Sequence, residues 1–173
     1  MTLQKQEGLA MKITGKFALT SEEIDALLRE AKIIRVATQG PGARINLTAL
    51  WFCWVGGKVY AFTRGQKVEN LRHNPVCTAM VDRNERYPEL QGVMLEGRAR
   101  VLEDAAAEAA DEHLDPVVRD AIGAKYAEGG FGSRASTRNA STAMGKNWRW
   151  MVLTPERAFS WDNTKLPKRP PKA

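Results

Sequence analysis

Two β-type segments joined by Gly56-Gly57 constrain the fold of this chain more than any other feature. An apolar run over residues 47–55 is interrupted only by Thr48, and residues 58–63 alternate as a half-buried strand does. Two adjacent glycines permit positive φ at both central positions of a two-residue turn, which is the chemistry of a tight hairpin. The stretch therefore predicts an antiparallel hairpin within a larger sheet.

A short polar loop and a helical segment follow this hairpin. Arg64 and Lys67 flank Gly65-Gln66 in the loop, and the helical segment ends at Asn74-Pro75. A helix that begins at a glycine-containing loop presents unpaired N–H groups, and the two cations add positive charge, so the loop can hold one phosphate. A solvated basic turn is the alternative, because short anion-binding loops are weak motifs.

The rest of the chain is predicted to form short strands with few helices. Thr20 and Glu23 form a capping-box pattern before an amphipathic helix, and an Ala/Glu-rich helix over 104–127 is broken near Asp115-Pro116. Strands are expected at 33–38, 44–55, 58–63, 76–82, 91–102 and 148–153, with a turn at Thr154-Pro155 and an edge strand at 157–161. Gly92 and Gly97 mark a bulge or a close backbone approach.

These elements predict a mainly β (α+β) fold, a six- to seven-stranded antiparallel barrel that is closed or nearly closed, with a few peripheral helices. The chain of 173 residues is most simply one domain. A flexible segment is expected over 1–15, the barrel domain over 16–166 and a basic Pro-rich tail over 167–173.

Composition narrows the function classes. The net charge of +6 suggests an anionic partner. Two cysteines without a CxxC motif and two unclustered histidines argue against a disulfide framework, a metal site and a nucleophile–base set. The chain offers no apolar span of membrane length, and it lacks the paired aromatics of a nucleic-acid-binding sheet. We therefore expect a cytoplasmic protein that binds a small molecule, without a nucleic-acid or membrane partner.

Four pieces of sequence stand in order between residues 22 and 166. They are the run 47–52 with Gly56-Gly57, the pattern Thr63-x-x-Gln66-Lys67-Val68-x-Asn70-Leu71-Arg72-x-Asn74-Pro75, the segment 92–99, and Ser160-Trp161-Asp162-x-x-Lys165-Leu166. Together they resemble the flavin-binding split β-barrel group. That group contains pyridoxamine 5′-phosphate oxidase and the deazaflavin (coenzyme F-420)-dependent reductases.

The resemblance implies a site. The strand from Asn46 to Trp51 would run along a flavin-type ring, and the loop after Thr63 would hold the attached phosphate. Members of the group form homodimers with the cofactor between subunits, so Trp161 could act across the interface. The implied cofactor-binding residues are Asn46, Leu47, Thr48, Ala49, Leu50, Trp51, Thr63, Arg64, Gln66, Lys67, Asn70 and Trp161. The Thr48 hydroxyl is the candidate proton donor.

Two departures argue against vitamin B6 oxidase activity. Gln66 stands where the oxidase branch usually has arginine, and Gly92 stands where that branch has a glutamine touching the ring. The sequence pattern TALWF…GQK…SWDxxKL is more similar to the reductase branch. This similarity implies coenzyme F-420 as the cofactor, with FMN as the alternative. Arg134, Arg138 and Lys146 are the candidates for the poly-glutamate tail of that cofactor.

The expected function is hydride transfer between coenzyme F-420 or FMN and a small unsaturated or conjugated organic molecule. In such an enzyme the cofactor carries the hydride, and the protein supplies orientation and electrostatics. The alternative is a non-catalytic split barrel that stores or senses a flavin or haem, with His73 as a possible haem ligand.

Overall fold

The computed structural model describes residues 12–15, 17–129 and 147–167. The strands are β1 (Lys12–Thr14), β2 (Ile34–Gln39), β3 (Ile45–Leu50), β4 (Cys53–Val55), β5 (Lys58–Thr63), β6 (Val76–Arg83), β7 (Gln91–Leu102) and β8 (Arg149–Asp162). The α-helices are α1 (Ser21–Glu30), α2 (Gln66–His73), α3 (Ala105–Ala109) and α4 (Arg119–Lys125), and a π-helical turn spans Leu114–Val118.

All eight strands belong to one curled sheet. Seven of them follow the order β3-β2-β6-β7-β8-β5-β4, and every pairing along this path is antiparallel. The eighth, β1, pairs parallel with β8, with Lys12 opposite Arg157. The expected antiparallel split barrel with few helices is confirmed.

The hairpin at Gly56-Gly57 forms as the sequence predicts. Gly56 has φ 58° and Gly57 has φ 71°, and β4 pairs with β5 on either side of them. Positive φ at both central positions gives the turn a twist that matches the flanking strands. The imidazole of His113 packs against Gly56, where a Cβ atom would lie 2.1 Å from Nε2.

The single strand expected over 44–55 is wrong. The chain leaves the sheet at Trp51-Phe52, and the two halves, β3 and β4, lie at opposite ends of the strand order. The Tyr126 hydroxyl holds this crossing, since the Phe52 N–H donates to it and the hydroxyl lies 2.8 Å from the Phe52 carbonyl. Phe52 itself is fully buried.

The turn expected at Thr154-Pro155 and the separate edge strand over 157–161 are also wrong. β8 runs unbroken from Arg149 to Asp162 and pairs with β7 along its length. A register shift between Glu96 and Gly97 lets β8 keep Pro155 within the ladder. The bulge or close approach predicted at Gly97 is confirmed, because a Cβ atom there would lie 2.2 Å from the Thr154 carbonyl oxygen.

Two apolar clusters stabilise the barrel. Alternate residues of the strands point inward and meet α1, whose buried face carries Ile24, Leu27 and Leu28. The predicted capping box of α1 is present, with Thr20 and Glu23 each bonding the backbone of the other. The second cluster lies under the π-helical turn and α4 and includes Tyr60 and Trp150. The helix predicted over 104–127 is interrupted at residues 110–113. Asp115 and Pro116, where the break was expected, lie within the π-helical turn, which runs directly into α4.

The segment that follows β8 ties the barrel to α1. Asp162 accepts a hydrogen bond from the Thr164 N–H at 3.0 Å and thereby caps a short 3₁₀ turn. Lys165 donates to Glu23 at 2.6 Å and to the Ala18 carbonyl at 3.1 Å. Part of the Ser160-Trp161-Asp162-x-x-Lys165-Leu166 pattern therefore has a structural role. No helix in the described part of the chain is both long and apolar enough to cross a membrane.

Gly97→Ala should destabilise the fold strongly, because the new methyl group meets backbone atoms that cannot turn away. We expect a loss of about 2–4 kcal/mol in the free energy of unfolding measured with urea. Gly42→Ala is the matched control. The φ of 66° at Gly42 is unfavourable for alanine, but a Cβ atom there would have nothing within 4 Å. Its expected loss is only about 1 kcal/mol. Equal losses in the two variants would contradict the account of the bulge.

Candidate functional site

The loop between β5 and α2 has the local structure of an anion site. Thr63 is buried at the end of β5, and Gly65 takes φ 79° at the N-cap of α2. The Val68 N–H bonds the Gly65 carbonyl at 2.9 Å, but glycine has no side chain with which to cap the helix. The N–H groups of Gln66 and Lys67 at the start of α2 therefore remain for an acceptor from outside.

Two cations of this loop have no acidic partner among the residues that the structure describes. The Lys67 ammonium donates to the Arg64 carbonyl at 2.9 Å, which places the two side chains in one neighbourhood. Burial, and then the charge of Arg64, lowers the pKa of Lys67. Glu69 on the same helix and Glu103 bind Arg72 instead. A phosphate placed here would supply the charge that the chain does not.

An aromatic shelf orients Arg64. Its guanidinium lies 5.0 Å from the ring centroid of Trp148, and Trp148 stacks on Phe62 with centroids 5.2 Å apart. Trp148 is not among the site residues predicted from the sequence. It reaches the loop because Thr63 pairs with Arg149, which brings β8 beside the loop, and these two residues are far apart in the chain. Trp150, which also contacts Phe62, is a core residue.

Asn70 fixes the helix to the sheet. It is buried, its amide donates to the Thr38 hydroxyl at 3.1 Å, and its carbonyl oxygen accepts from Gln66 at 2.9 Å. Gly40 lies against it, since a Cβ atom there would approach the Asn70 Oδ1 to 2.8 Å. Gln66, at the position where the oxidase branch has a cation, thus orients Asn70, and Asn70 sets the position of the loop.

β3 divides the remaining strand candidates between two faces. Asn46, Thr48 and Leu50 are partly buried, whereas Leu47 and Ala49 are exposed on the other face. Asn46 lies opposite Thr38, the residue that binds Asn70, so the strand and the loop meet at this end of the barrel.

Two polar atoms on β3 are shielded from solvent without a hydrogen bond. They are Oδ1 of Asn46 and Oγ1 of Thr48, and neither has a partner in the described part of the chain. Native structures rarely leave such atoms unpaired, so each suggests a partner that is not a protein group. The polar edge of a flavin-type ring carries donors and acceptors of the required kind, and these residues fit it.

Trp51 and Trp161 do not join this arrangement within one subunit. The Trp51 ring stacks on Tyr126 with centroids 4.5 Å apart. Trp161 covers Gly92, where a Cβ atom would lie 2.2 Å from the indole, so no glutamine fits beneath it. Across the sheet, Asn46 is in register with Gly97 of β7, whereas Trp161 is in register with Gly92. Gly92 and Gly97 are five residues apart, which is about 17 Å along β7.

Other sequence candidates lie elsewhere. His73 is exposed at the end of α2, with Nδ1 2.8 Å from the carbonyl oxygen of Glu69. The candidates for a poly-glutamate tail, Arg134, Arg138 and Lys146, fall outside the described residues.

The outer face of the sheet from β3 to β8 carries several large exposed apolar side chains among charged ones. Large exposed side chains there are Ile45, Leu47, Val76 and Phe159, the first two being 66% and 64% exposed. Met80 and Met94 pair between them, and Trp161 extends the same face on β8. Two ion pairs, Arg35 with Asp82 and Arg157 with Glu96, lie among them on the same face. The exposed apolar side chains make this face a candidate interaction surface.

A model of one known family matches most of the chain. The family model described as pyridoxamine 5′-phosphate oxidase matches residues 20–162. No curated protein matches the chain.

Three solved structures illustrate the fold likeness. A conserved hypothetical protein from Mycobacterium tuberculosis has a TM-score of 0.72 at 24% identity, over 94% of this chain and 98% of that one. A haem storage protein from Vibrio cholerae has a TM-score of 0.61 at 17% identity, over 80% and 92%. An FAD-binding protein from Mesorhizobium loti has a TM-score of 0.56 at 17% identity, over 83% and 94%.

Proposed function

The chain belongs to the pyridoxamine 5′-phosphate oxidase family, and we propose that it is an oxidoreductase using coenzyme F-420 or FMN. It would transfer hydride between that cofactor and a small unsaturated or conjugated organic molecule. The observation that supports this most is the pair Arg64 and Lys67 at the start of α2, which meets no acid in the described part of the chain. The unpaired polar atoms of β3 lie at the same end of the barrel.

The loop and β3 would bind different parts of the cofactor. Lys67 and Arg64 would neutralise the phosphate of the cofactor, with the N–H groups of the first turn of α2 as further donors. Asn46 and Thr48 would bond the polar edge of the ring, and burying their free oxygens against it would remove an uncompensated desolvation cost. The Trp148 shelf keeps the Arg64 guanidinium in place before the cofactor arrives.

The bound cofactor supplies the hydride, so the chain needs no nucleophile of its own. The task left to the protein is to hold substrate and ring together and to exclude water. The Thr48 hydroxyl, shielded and without a partner among the described residues, is the side chain we propose for proton delivery to the product. Solvent is the other source of that proton.

Coenzyme F-420 is our first choice of cofactor and FMN the second. Because Gln66 stands where the oxidase branch has a cation, the loop has one positive charge fewer than in that branch. The Gln66 amide donates a hydrogen bond to Asn70 instead. A phosphodiester carries less charge than a phosphate monoester, so it needs fewer cations than the oxidase branch provides.

A binding or storage role is the second candidate. The fold is shared with a haem storage protein, and His73 is exposed on α2. Against this role, the Nδ1 of His73 faces its own helix backbone, and the shielded polar atoms of β3 suit a polar ring edge better than a porphyrin.

We also propose that two subunits pair through the outer face that carries Leu47 and Phe159. Such a dimer would bury the exposed apolar surface of β3, β6 and β8. It would also bring Trp161 of one subunit toward the β3 strand of the other, which a single subunit does not achieve.

Cofactor titration followed by turnover tests the function. The purified apo-protein is titrated with coenzyme F-420, FMN and haem, and the quenching of Trp fluorescence is followed. We expect F-420 to bind about tenfold more tightly than FMN, a difference of about 1.4 kcal/mol. The reduced complex should then lose its hydride to an enone in a panel of acceptors. Tight haem binding without any turnover would favour the storage role.

Lys67→Ala should weaken binding of the phosphate-bearing cofactor by about 10- to 100-fold, as removal of one charge-assisted contact does. Affinity for riboflavin, which has the same ring as FMN but no phosphate, should stay unchanged. Isothermal titration with FMN and riboflavin measures both. Lys165→Ala is the control, since Lys165 pairs with Glu23 away from the loop. If FMN binding survives in Lys67→Ala, the phosphate assignment is wrong.

Leu47→Asp should convert the dimer into monomers, because it replaces one of the exposed apolar side chains of the outer face by a charge. Light scattering coupled to size-exclusion chromatography gives the mass directly. Val117→Asp is the control: this residue is 44% exposed on the π-helical turn, away from the outer face. A wild-type protein that elutes as a monomer at every concentration would refute the proposed pairing.

A further inference from the structure

A second concave site lies at the hairpin end of the barrel. It is a groove of about 510 Å³ between α1, β4, the π-helical turn and α4. Its walls include Trp54, Val55, Val117 and Ala121, with the buried Cys53 among them. Val117 is a large apolar side chain left 44% exposed. The volume is within the range of small-molecule sites.

The groove is separate from the cofactor loop. It begins at the Gly56 turn before β5, whereas the loop follows Thr63 at the other end of that strand. Six residues of β5 span about 20 Å.

One ammonium group of this groove has no charged partner. Lys125 donates to the Leu28 carbonyl at 3.3 Å, and its Nζ lies 4.0 Å from the ring centroid of Phe52. No acid pairs with it among the described residues. Burial lowers the pKa of Lys125 to about 8, and the nearby charge of Lys32 acts in the same direction.

The neighbouring groups cannot act as its counter-ion. Burial raises the pKa of the Cys53 thiol to about 12, so the sulfur stays neutral beside the ammonium. The carboxylate of Asp25 is engaged by Arg29 at 2.7 Å and by the Trp54 indole N–H at 2.5 Å. The groove therefore has apolar walls and one uncompensated positive charge.

We propose that this groove binds a small amphipathic monoanion, a carboxylate on an apolar body, with the carboxylate at Lys125. The apolar part would cover Trp54, Val117 and Ala121, and the carboxylate would replace the water that now solvates the ammonium. If Lys125 served only to cap a helix, it would use just one of its three ammonium N–H groups, the one that donates to the Leu28 carbonyl. It gives no reason for the exposed apolar wall.

Octanoate is the probe, and octylamine and octanol are its matched controls, because they present the same chain with a positive or neutral head. We expect calorimetric titration of the full-length protein to show octanoate binding at least about tenfold more tightly than either control. Lys125→Gln should lose that preference, while Lys67→Gln should keep it and lose affinity for FMN. Failure of the cofactor proposal would therefore leave this result untouched.

Ala124→Trp provides a second variant that does not depend on charge. Ala124 lines the groove from an exposed position on α4, so an indole there should fill the space without disturbing the core. Octanoate binding should fall by about tenfold or more in this variant, with an unchanged unfolding midpoint. Equal affinity for octanoate and octylamine, undiminished octanoate binding in Lys125→Gln or Ala124→Trp, or no binding of octanoate to the wild type would overturn the proposal.

Discussion

The pairing of β7 with β8 is the constraint on which the rest of the structure depends. These are the two longest strands, and β8 also pairs with β1 and with β5. The bulge at Gly97 lets β8 carry Pro155 in the ladder without ending, so one strand serves both halves of the barrel. Since β8 begins beside Thr63, the same ladder brings Trp148 to the candidate cofactor loop.

Partly buried cations without an acidic partner among the described residues are present at both candidate sites. Arg72 is bound by Glu69 and Glu103, and Arg157 is bound by Glu96. Lys67 and Lys125 are half-buried, and burial lowers the pKa of both, yet neither meets an acid in the described part of the chain. A cation kept partly out of water without a counter-ion is a cost to folding, which a bound anion removes.

Polar satisfaction gives a second, independent indication at the cofactor loop. Asn70, Thr38 and Gln66 satisfy one another, so the platform under the loop is rigid before any ligand binds. Asn46 and Thr48 lie on the adjoining strand with oxygens that nothing described satisfies. A completed network beside an incomplete one is the pattern expected where a ligand, rather than the protein, supplies the missing partners.

The sequence by itself determined the elements whose signals are local. The Gly56-Gly57 turn and the Thr20–Glu23 capping box each depend on residues within one or two turns of chain. The loop from Thr63 to Lys67, followed by a helix, was predicted for the same reason. The family resemblance, confirmed by the match over 20–162, placed these pieces in a split barrel.

Only the tertiary structure decided how distant segments meet. Residues 47–55 are uniformly apolar, and the pattern contains nothing to show that β3 and β4 separate to opposite ends of the sheet. Pro155 looks like a strand end until Gly97 of another strand is seen to accommodate it. The Trp148 shelf, the face on which Trp161 lies and the groove at Lys125 depend on pairings between residues far apart in the chain, and local propensity carries no information about such pairings.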